Sequence, residues 1–374
     1  MSRFPIMIDS GAYTVWAKGR QLQEKMDRAK GKQDFHEWDR LKRERERIEI
    51  KIEDYIAFCH EVLKDFPQAV CVNLDVIDEA RPSFENWKHM RESGIDALPV
   101  WHVVGDPECK FLRKYLNETN HIGLGAIASM SSSRRKEALD RVWENYLIDS
   151  ERMPAVKVHG MGITSFPLML RYPWHSLDST AWIQSAMYGH AQTPKQRGGT
   201  YDYGAKPTKI GFSTLCSDKR KKGKHYLTLS PSERARTLRY LKEKEFRLGF
   251  EWKAEDGRVV VDPGVASIFR IRADLNAEFY GSFVSTVPWP RPFLARERSG
   301  FNLHGKPESG AGKMELDEGR RDHTILYLSG SATKGENYIL KNRERLDHVG
   351  VLLSYNDLRR RGVTWRRLEN LKGK

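Results

Sequence analysis

The stretch FPIMIDSGAYTVW, residues 4–16, decides the fold. Its apolar run ends on Asp9, and Ser10, Gly11 and Ala12 follow at once. A buried strand that stops on a carboxylate, with small residues behind it, leaves room for a ligand to approach that carboxylate. The pattern recurs. Short apolar segments read FPIMID (4–9), AVCVNLDV (69–76), ALPVWHVV (97–104), HIGLGAIA (121–128), AVKVHGMG (155–162) and PWHSLDS (173–179). Between them, IEDYIAFCHEVLKDF (52–66) and CKFLRKYLNET (109–119) carry apolar residues at helical spacing. Strands alternating with helices predict an α/β fold with a parallel sheet.

Polar or small residues stand at the C-terminal end of nearly every predicted strand. They are Asp9, Asn73 with Asp75, His102, Gly123 with Gly125, His159-Gly160-Met161-Gly162, and Asp178-Ser179. No glycine-rich dinucleotide fingerprint follows the first strand, which argues against an open nucleotide-binding sheet. A (β/α)8 barrel, whose C-terminal rim carries the active site, fits the pattern. Six strands precede residue 184; HTILYLSG (323–330) and HVGVLLSY (348–355) supply the expected last two, with a helix-like KGENYILKNRERL between them. The predicted organisation is therefore 1–183 for the first six βα units, 184–322 for a basic insertion, and 323–374 for the closing strands and a basic tail. Within the insertion, Ser230, Pro231 and Glu233 spell a capped helix start.

The 374 residues carry a net charge of +14. The excess is uneven: 184–322 holds 26 Lys/Arg against 17 Asp/Glu, and Tyr355–Lys374 holds seven against two. Such a surplus favours a polyanionic partner through counterion release. The run Lys219, Arg220, Lys221, Lys222, with Arg234 on the capped helix, is the expected nucleic-acid contact. No apolar run is long enough for a membrane-spanning helix, and the N-terminal stretch reads as a strand and not a secretory signal. The four cysteines, Cys59, Cys71, Cys109 and Cys216, are scattered, without a metal knuckle or disulfide framework. A cytoplasmic setting is expected, with no cofactor and no catalytic metal, while a metal in the insertion is left open.

Two carboxylates stand out, Asp9 in IDSGAY and Asp178 in LDSTAW, each followed by Ser and a small residue. Paired acids around a sugar carbon serve glycosidic-bond chemistry, one attacking the anomeric carbon and the other handling the leaving group's proton. Each could instead cap a helix. In KVHGMGIT (157–164), glycines flanking Met161 would let a planar ligand pack on the backbone under a thioether. Asp75 in VNLDVID could accept N–H bonds from a guanine-like edge.

With these motifs in view, the chain resembles the tRNA-guanine transglycosylase superfamily, in particular its short, phage-type branch that exchanges guanine in DNA for a 7-deazaguanine. The resemblance covers about 4–182 and rests on DSGAYTVW, EDYIAF, VNLDVID, HIGLGAIAS, VKVHGMGITSFPLMLRYPW and SLDSTAW occurring in the family's order. It implies that Asp178 is the nucleophile of a covalent glycosyl-enzyme intermediate and Asp9 the general acid/base. It also implies that Asp75 reads the guanine-like edge, that Gly123 and Gly125 form the turn contacting the base carbonyl, and that Gly160-Met161-Gly162 lies beneath the ring. Ser10, Gly11, Asn73, His102 and His159 complete the expected base site; His102 stands where relatives carry a glutamine. The family's zinc-binding C-x-C-x-x-C motif with its distant His is absent, as is the archaeal RNA-binding extension, which argues against tRNA. The implied partners are double-stranded or locally opened DNA and a free 7-deazaguanine, 7-cyano-7-deazaguanine (preQ0) foremost. If the chain is phage-encoded, the setting is the host cytoplasm. A tRNA substrate and a non-catalytic nucleic-acid-binding protein are the alternatives, and a homodimer is left open.

Overall fold

The computed structural model describes residues 5–125, 130–294, 323–329, 338–339, 341–344, 346 and 348–355. The chain divides into two units by its internal contacts. The first comprises Met1–Ala138, Val156–Met161 and Leu352–Lys374; the second comprises Leu139–Ala155 and Gly162–Val351.

In the first unit, β1 (Ile6–Asp9) leads into α1 (Ala12–Gly31) through Gly11, whose φ of 79° is left-handed and favours glycine. Ser10 is fully buried, and its Oγ accepts the Ala12 N–H at 3.3 Å. Helix α1 pairs with α2 (Phe35–Ile48) over an apolar seam of Leu22, Met26, Leu41 and Ile48. The sequence pattern does not announce this helical hairpin, because its surface is heavily charged and its apolar stripe is narrow. Helix α3 (Ile52–Asp65) buries Tyr55, Phe58, Cys59 and Val62 at helical spacing. The Tyr55 hydroxyl donates to the carbonyls of Val72 at 2.7 Å and Ile8 at 3.3 Å, tying the helix to the strand ends. Then come β2 (Val70–Cys71), α4 (Ala80–Glu92), β3 (Val100–His102), α5 (Lys110–Glu118), β4 (His121–Gly125), α6 (Ser132–Val142) and β5 (Lys157–Gly160).

The β1–β2, β3–β4 and β4–β5 pairs are parallel, with Ile8 opposite Cys71, His102 opposite Gly125, and Gly123 opposite His159. A parallel bridge between Val72 and Leu98 joins the chain just after β2 to the chain just before β3. It is made by the Asn73 N–H donating to Leu98 O at 2.9 Å and the Leu98 N–H donating to Cys71 O at 2.8 Å.

The second unit holds α7 (Phe166–Arg171), β6 (Ser176–Ser179), α8 (Ala181–Met187), β7 (His190–Thr193), β8 (Lys195–Arg197), β9 (Thr200–Asp202) and β10 (Thr208–Gly211). These are followed by α9 (Pro231–Glu243), β11 (Phe250–Lys253), β12 (Val259–Asp262), α10 (Phe269–Val284) and β13 (Ile325–Ser329), and β14 (Val349–Ser354) ends the series. β13 runs parallel to β6 with Tyr327 opposite Asp178 and Leu328 opposite Ser179. Within this unit the first of the two late strands therefore returns beside β6. The architecture is mixed α/β. Of the expected helix between the two late strands, Tyr338, Ile339 and Lys341 are helical and 342–344 form a turn, while the basic tail beyond Tyr355 falls outside the described residues.

The insertion is antiparallel in character. β7 pairs with β10, β8 with β9, and β11 with β12. Its core gathers Ala191, Ile210, Phe212, Leu229, Tyr240, Leu241, Val265 and Leu275. The Ser230 capping box forms as read, Ser230 Oγ accepting the Glu233 N–H while the Glu233 carboxylate accepts the Ser230 N–H.

Helix α10 fastens the insertion to the strand-bearing part of this unit. Asn276 is fully buried; its Oδ1 accepts the Gln192 N–H at 2.8 Å, and its Nδ2 donates to Trp182 O at 2.8 Å and His190 O at 3.4 Å. One amide thus satisfies β7 and α8 together. Asn276→Ala strands a buried N–H and a buried carbonyl, and should lower stability by about 2–4 kcal/mol in chemical denaturation.

Candidate functional site

The predicted site residues fall into two groups, one in each unit. In the first unit, β1 ends on half-buried Asp9. Beyond β2, Asn73 is fully buried, its Nδ2 donating to Ser83 O at 2.9 Å. Ser83 Oγ in turn accepts the Val76 N–H at 2.9 Å, so the VNLDVID turn is laced to the first turn of α4. That lacing sets the direction of Asp75.

Asp75 is the partner of His102. Nε2 of His102 lies 2.8 Å from Asp75 Oδ2, with both side chains almost out of solvent. The Asp78 N–H donates to His102 Nδ1 at 3.2 Å, which makes Nε2 the protonated nitrogen and the donor to Asp75. His102 is therefore a positioning residue. It fixes one oxygen of Asp75 and leaves the group's acceptor character to the other. Gly125 exists beside it for space: a Cβ there would stand 2.7 Å from His102 Cδ2 and 2.8 Å from a Val100 methyl carbon. A Cβ on Gly123 would meet Val100 and Pro99 at 3.3–3.4 Å and the Met161 sulfur at 3.7 Å. The thioether of Met161 therefore lies against β4 at Gly123. His159 and Gly160 are buried on β5, and Met161 is half-buried. The Met161 N–H donates to Leu124 O at 3.0 Å, continuing the strand ladder.

In the second unit, Asp178 is buried near the end of β6. Its Oδ1 accepts the Gly162 N–H at 2.6 Å, and its Oδ2 accepts the Ser329 hydroxyl at 3.3 Å. Gly162 has φ of 64°, and a Cβ added there would meet nothing within 4 Å. Its backbone conformation, and not a lack of room, is what the site uses: a left-handed turn aims the N–H at the carboxylate. Ser329 is held in turn, since Trp182 Nε1 donates to its carbonyl at 2.9 Å. Neutral donors fix the carboxylate's orientation.

Sequence reasoning missed Ser329 and the Trp182 clamp. Ser329 was visible as the end of a predicted strand, but its partnership with Asp178 spans 151 residues. It also missed Asp106, a buried carboxylate that accepts the N–H groups of Lys110, Phe111 and Leu112 and the Trp101 indole N–H. Four donors make Asp106 a cap for α5.

The basic run lies on the loop after β10. Lys219, Arg220, Lys221 and Lys222 are exposed, Lys221 with its Nζ 2.6 Å from Asp218 Oδ1. Exposed Arg234 donates to Leu227 O. A cleft of about 330 Å³ opens among Lys195, Gln196, Tyr201, Glu233, Arg236 and Thr237, and none of the predicted base-binding residues lines it.

Comparison with protein-family models, curated proteins and solved structures finds no match for this chain.

Gly125→Ala tests the Asp75–His102 arrangement directly. The added methyl must displace the imidazole, so the His102 ring resonances should shift in NMR spectra and stability should fall by about 1–3 kcal/mol.

Proposed function

We propose that this chain is a transglycosylase that exchanges guanine in DNA for a 7-deazaguanine, preQ0 foremost, through a covalent aspartyl-glycosyl intermediate on a (β/α)8 barrel. The resemblance supplies the roles. The observation that carries the reading is the state of Asp178: a carboxylate at a strand end, withdrawn from water, and oriented by the Gly162 N–H and the Ser329 hydroxyl. A nucleophilic carboxylate needs this kind of support, because hydrogen bonds hold its oxygens in a fixed direction for attack. The parallel β1–β2, β3–β4, β4–β5 and β6–β13 pairs and the Val72–Leu98 bridge support the barrel.

The chemistry proceeds by two displacements. An Asp178 oxygen attacks the anomeric carbon of a target guanosine; the C–N bond breaks and guanine leaves, taking a proton at the departing nitrogen from Asp9 or a water that Asp9 holds. The 7-deazaguanine then gives its ring N–H proton to Asp9 and attacks the same carbon, expelling Asp178. Two inversions give net retention, as in a retaining glycosidase with a base in place of water. Asp75, pinned by His102, accepts N–H bonds from the edge of either base. A guanosine within a duplex must first leave its stack, at a cost of a few kcal/mol.

The deciding experiment incubates the full chain with DNA or tRNA and preQ0, and analyses the nucleosides by mass spectrometry. Modified deoxynucleoside is expected from DNA, and Asp178→Ala should reduce its formation by at least roughly 10³-fold. Modification confined to tRNA, or exchange that survives Asp178→Ala, overturns the reading.

The exposed basic run is proposed to hold the polyanion. Lys221 is already engaged by Asp218, so the informative variant replaces Lys219, Arg220 and Lys222 with Ala. Fluorescence anisotropy with a DNA duplex should show weaker binding and a log–log salt slope smaller by roughly 2–3.

A further inference from the structure

The insertion holds a cleft that the proposed chemistry leaves unused. Ile210 on β10, Leu229 and Tyr240 are buried among its lining residues and form an apolar floor. The hairpin of β8 and β9, turned through Gly198 and Gly199 at φ of 56° and 87°, contributes Lys195 and Tyr201. Helix α9 contributes Glu233 and Arg236. The volume of about 330 Å³ stands at the lower end of the range for small-molecule sites, room for one flat ring with its sugar.

Tyr201 is the fixed element of the cleft. Its hydroxyl donates to the Glu243 carboxylate, and its ring meets Tyr240 edge-on at 5.3 Å and 74°. Partial burial and that carboxylate push the phenol up to about 12, so the ring stays neutral at physiological pH. An aromatic ring already held in place stacks on a base with little further loss of rotamer freedom. The charged residues are not equivalent. Lys195 and Arg236 are exposed, whereas Glu233 is engaged by the α9 cap, accepting the Ser230 N–H at 2.9 Å and the Ser230 hydroxyl at 2.7 Å. An apolar floor, one aromatic ring and two exposed cations match a nucleotide, whose base is flat and whose phosphate is anionic. An uncharged ring would leave the cations unmatched, and a bare anion would leave the floor unmatched. The cleft is also stitched to the basic run. The Thr228 hydroxyl donates to Lys221 O at 2.6 Å, the Gly223 N–H donates to Thr228 O at 3.2 Å, and Leu229 of the floor follows directly.

We propose that this cleft holds one unpaired nucleotide of an opened DNA strand, its base against Tyr201 and its phosphate on Lys195 and Arg236. None of the residues assigned to base exchange lines it, so this nucleotide is not the exchanged guanosine. A guanosine drawn out of its stack leaves an orphaned partner and a locally opened duplex, and a protein that holds one of the freed nucleotides slows re-pairing. The site rests on the nucleic-acid part of the proposed function and needs neither Asp9 nor Asp178.

The test uses the full chain and a DNA oligonucleotide carrying a single 5-iodouracil, offered single-stranded or fully paired. On irradiation the single strand should cross-link to the segment that holds Tyr201, and the paired duplex should cross-link there less. In fluorescence anisotropy, Tyr201→Ala should weaken single-strand binding roughly 5- to 150-fold, as loss of one base–aromatic stack does. Tyr201→Phe keeps the ring and should bind as the wild type does. Replacing Lys195 and Arg236 with Ala should lower the log–log salt slope for the single strand by roughly 1–1.5. Both cations are exposed, so this variant decides if Tyr201→Ala fails to fold. Cross-links confined to other segments, or a single-strand affinity indifferent to these variants, overturn the proposal. A chain that fails this test yet exchanges base leaves the proposed function standing. One that cross-links at Tyr201 without exchanging base keeps the cleft and loses the exchange.

Discussion

A carboxylate withdrawn from water has to be met by donors, and at Asp178 that requirement organises the second unit. Losing hydration costs an ionised carboxylate several kcal/mol, while each hydrogen bond to a charged acceptor returns about 1.5–3 kcal/mol. The donors come from Gly162, just past β5, and from Ser329, at the end of a strand that follows the whole insertion. The chain must therefore return to β6 after its long excursion. The register of β13, with Tyr327 opposite Asp178, is the form that return takes. Trp182, on the helix directly after β6, closes the loop of constraints by holding the carbonyl of Ser329.

The insertion can be long because it brings its own core and because α10 anchors it. Its apolar cluster runs from Ala191 on β7 to Leu275 on α10. The helix buries polar side chains where an ordinary amphipathic helix would bury aliphatic ones. Arg272 donates to Val265 O and Ala186 O, Glu278 accepts from Lys244, and Asn276 serves β7 and α8. Each of these bonds is directional, so together they specify one orientation of the insertion's elements within the unit, which apolar contact alone would leave looser.

What the sequence disclosed follows from the range of the interactions involved. Strand positions, the terminal Asp9 and Asp178, and the Ser230 cap were legible because each is written in a few adjacent residues. Strand lengths were less so. AVCVNLDV yields a strand of only Val70–Cys71, because beyond the Val72 bridge the backbone turns to let Asn73 reach Ser83. The role of His102 could not be read, since it depends on Asp75 and on the Asp78 N–H, 24 residues away.

Carboxylates are plentiful in this chain, and their donors sort them by task. Asp106 accepts four N–H groups and is saturated as a helix cap. Asp140 takes both arms of the Arg171 guanidinium at 2.8 Å, with the Tyr172 hydroxyl added, a closed arrangement that binds α6 to α7. Neither has an oxygen to spare for chemistry. Asp75 meets an imidazole nitrogen at one oxygen, which orients it. Asp178 takes a neutral donor at each of its oxygens, a backbone N–H at one and a hydroxyl at the other. The two carboxylates thus differ in what meets them: a guanidinium spans both oxygens of Asp140, while a backbone N–H and a hydroxyl meet those of Asp178.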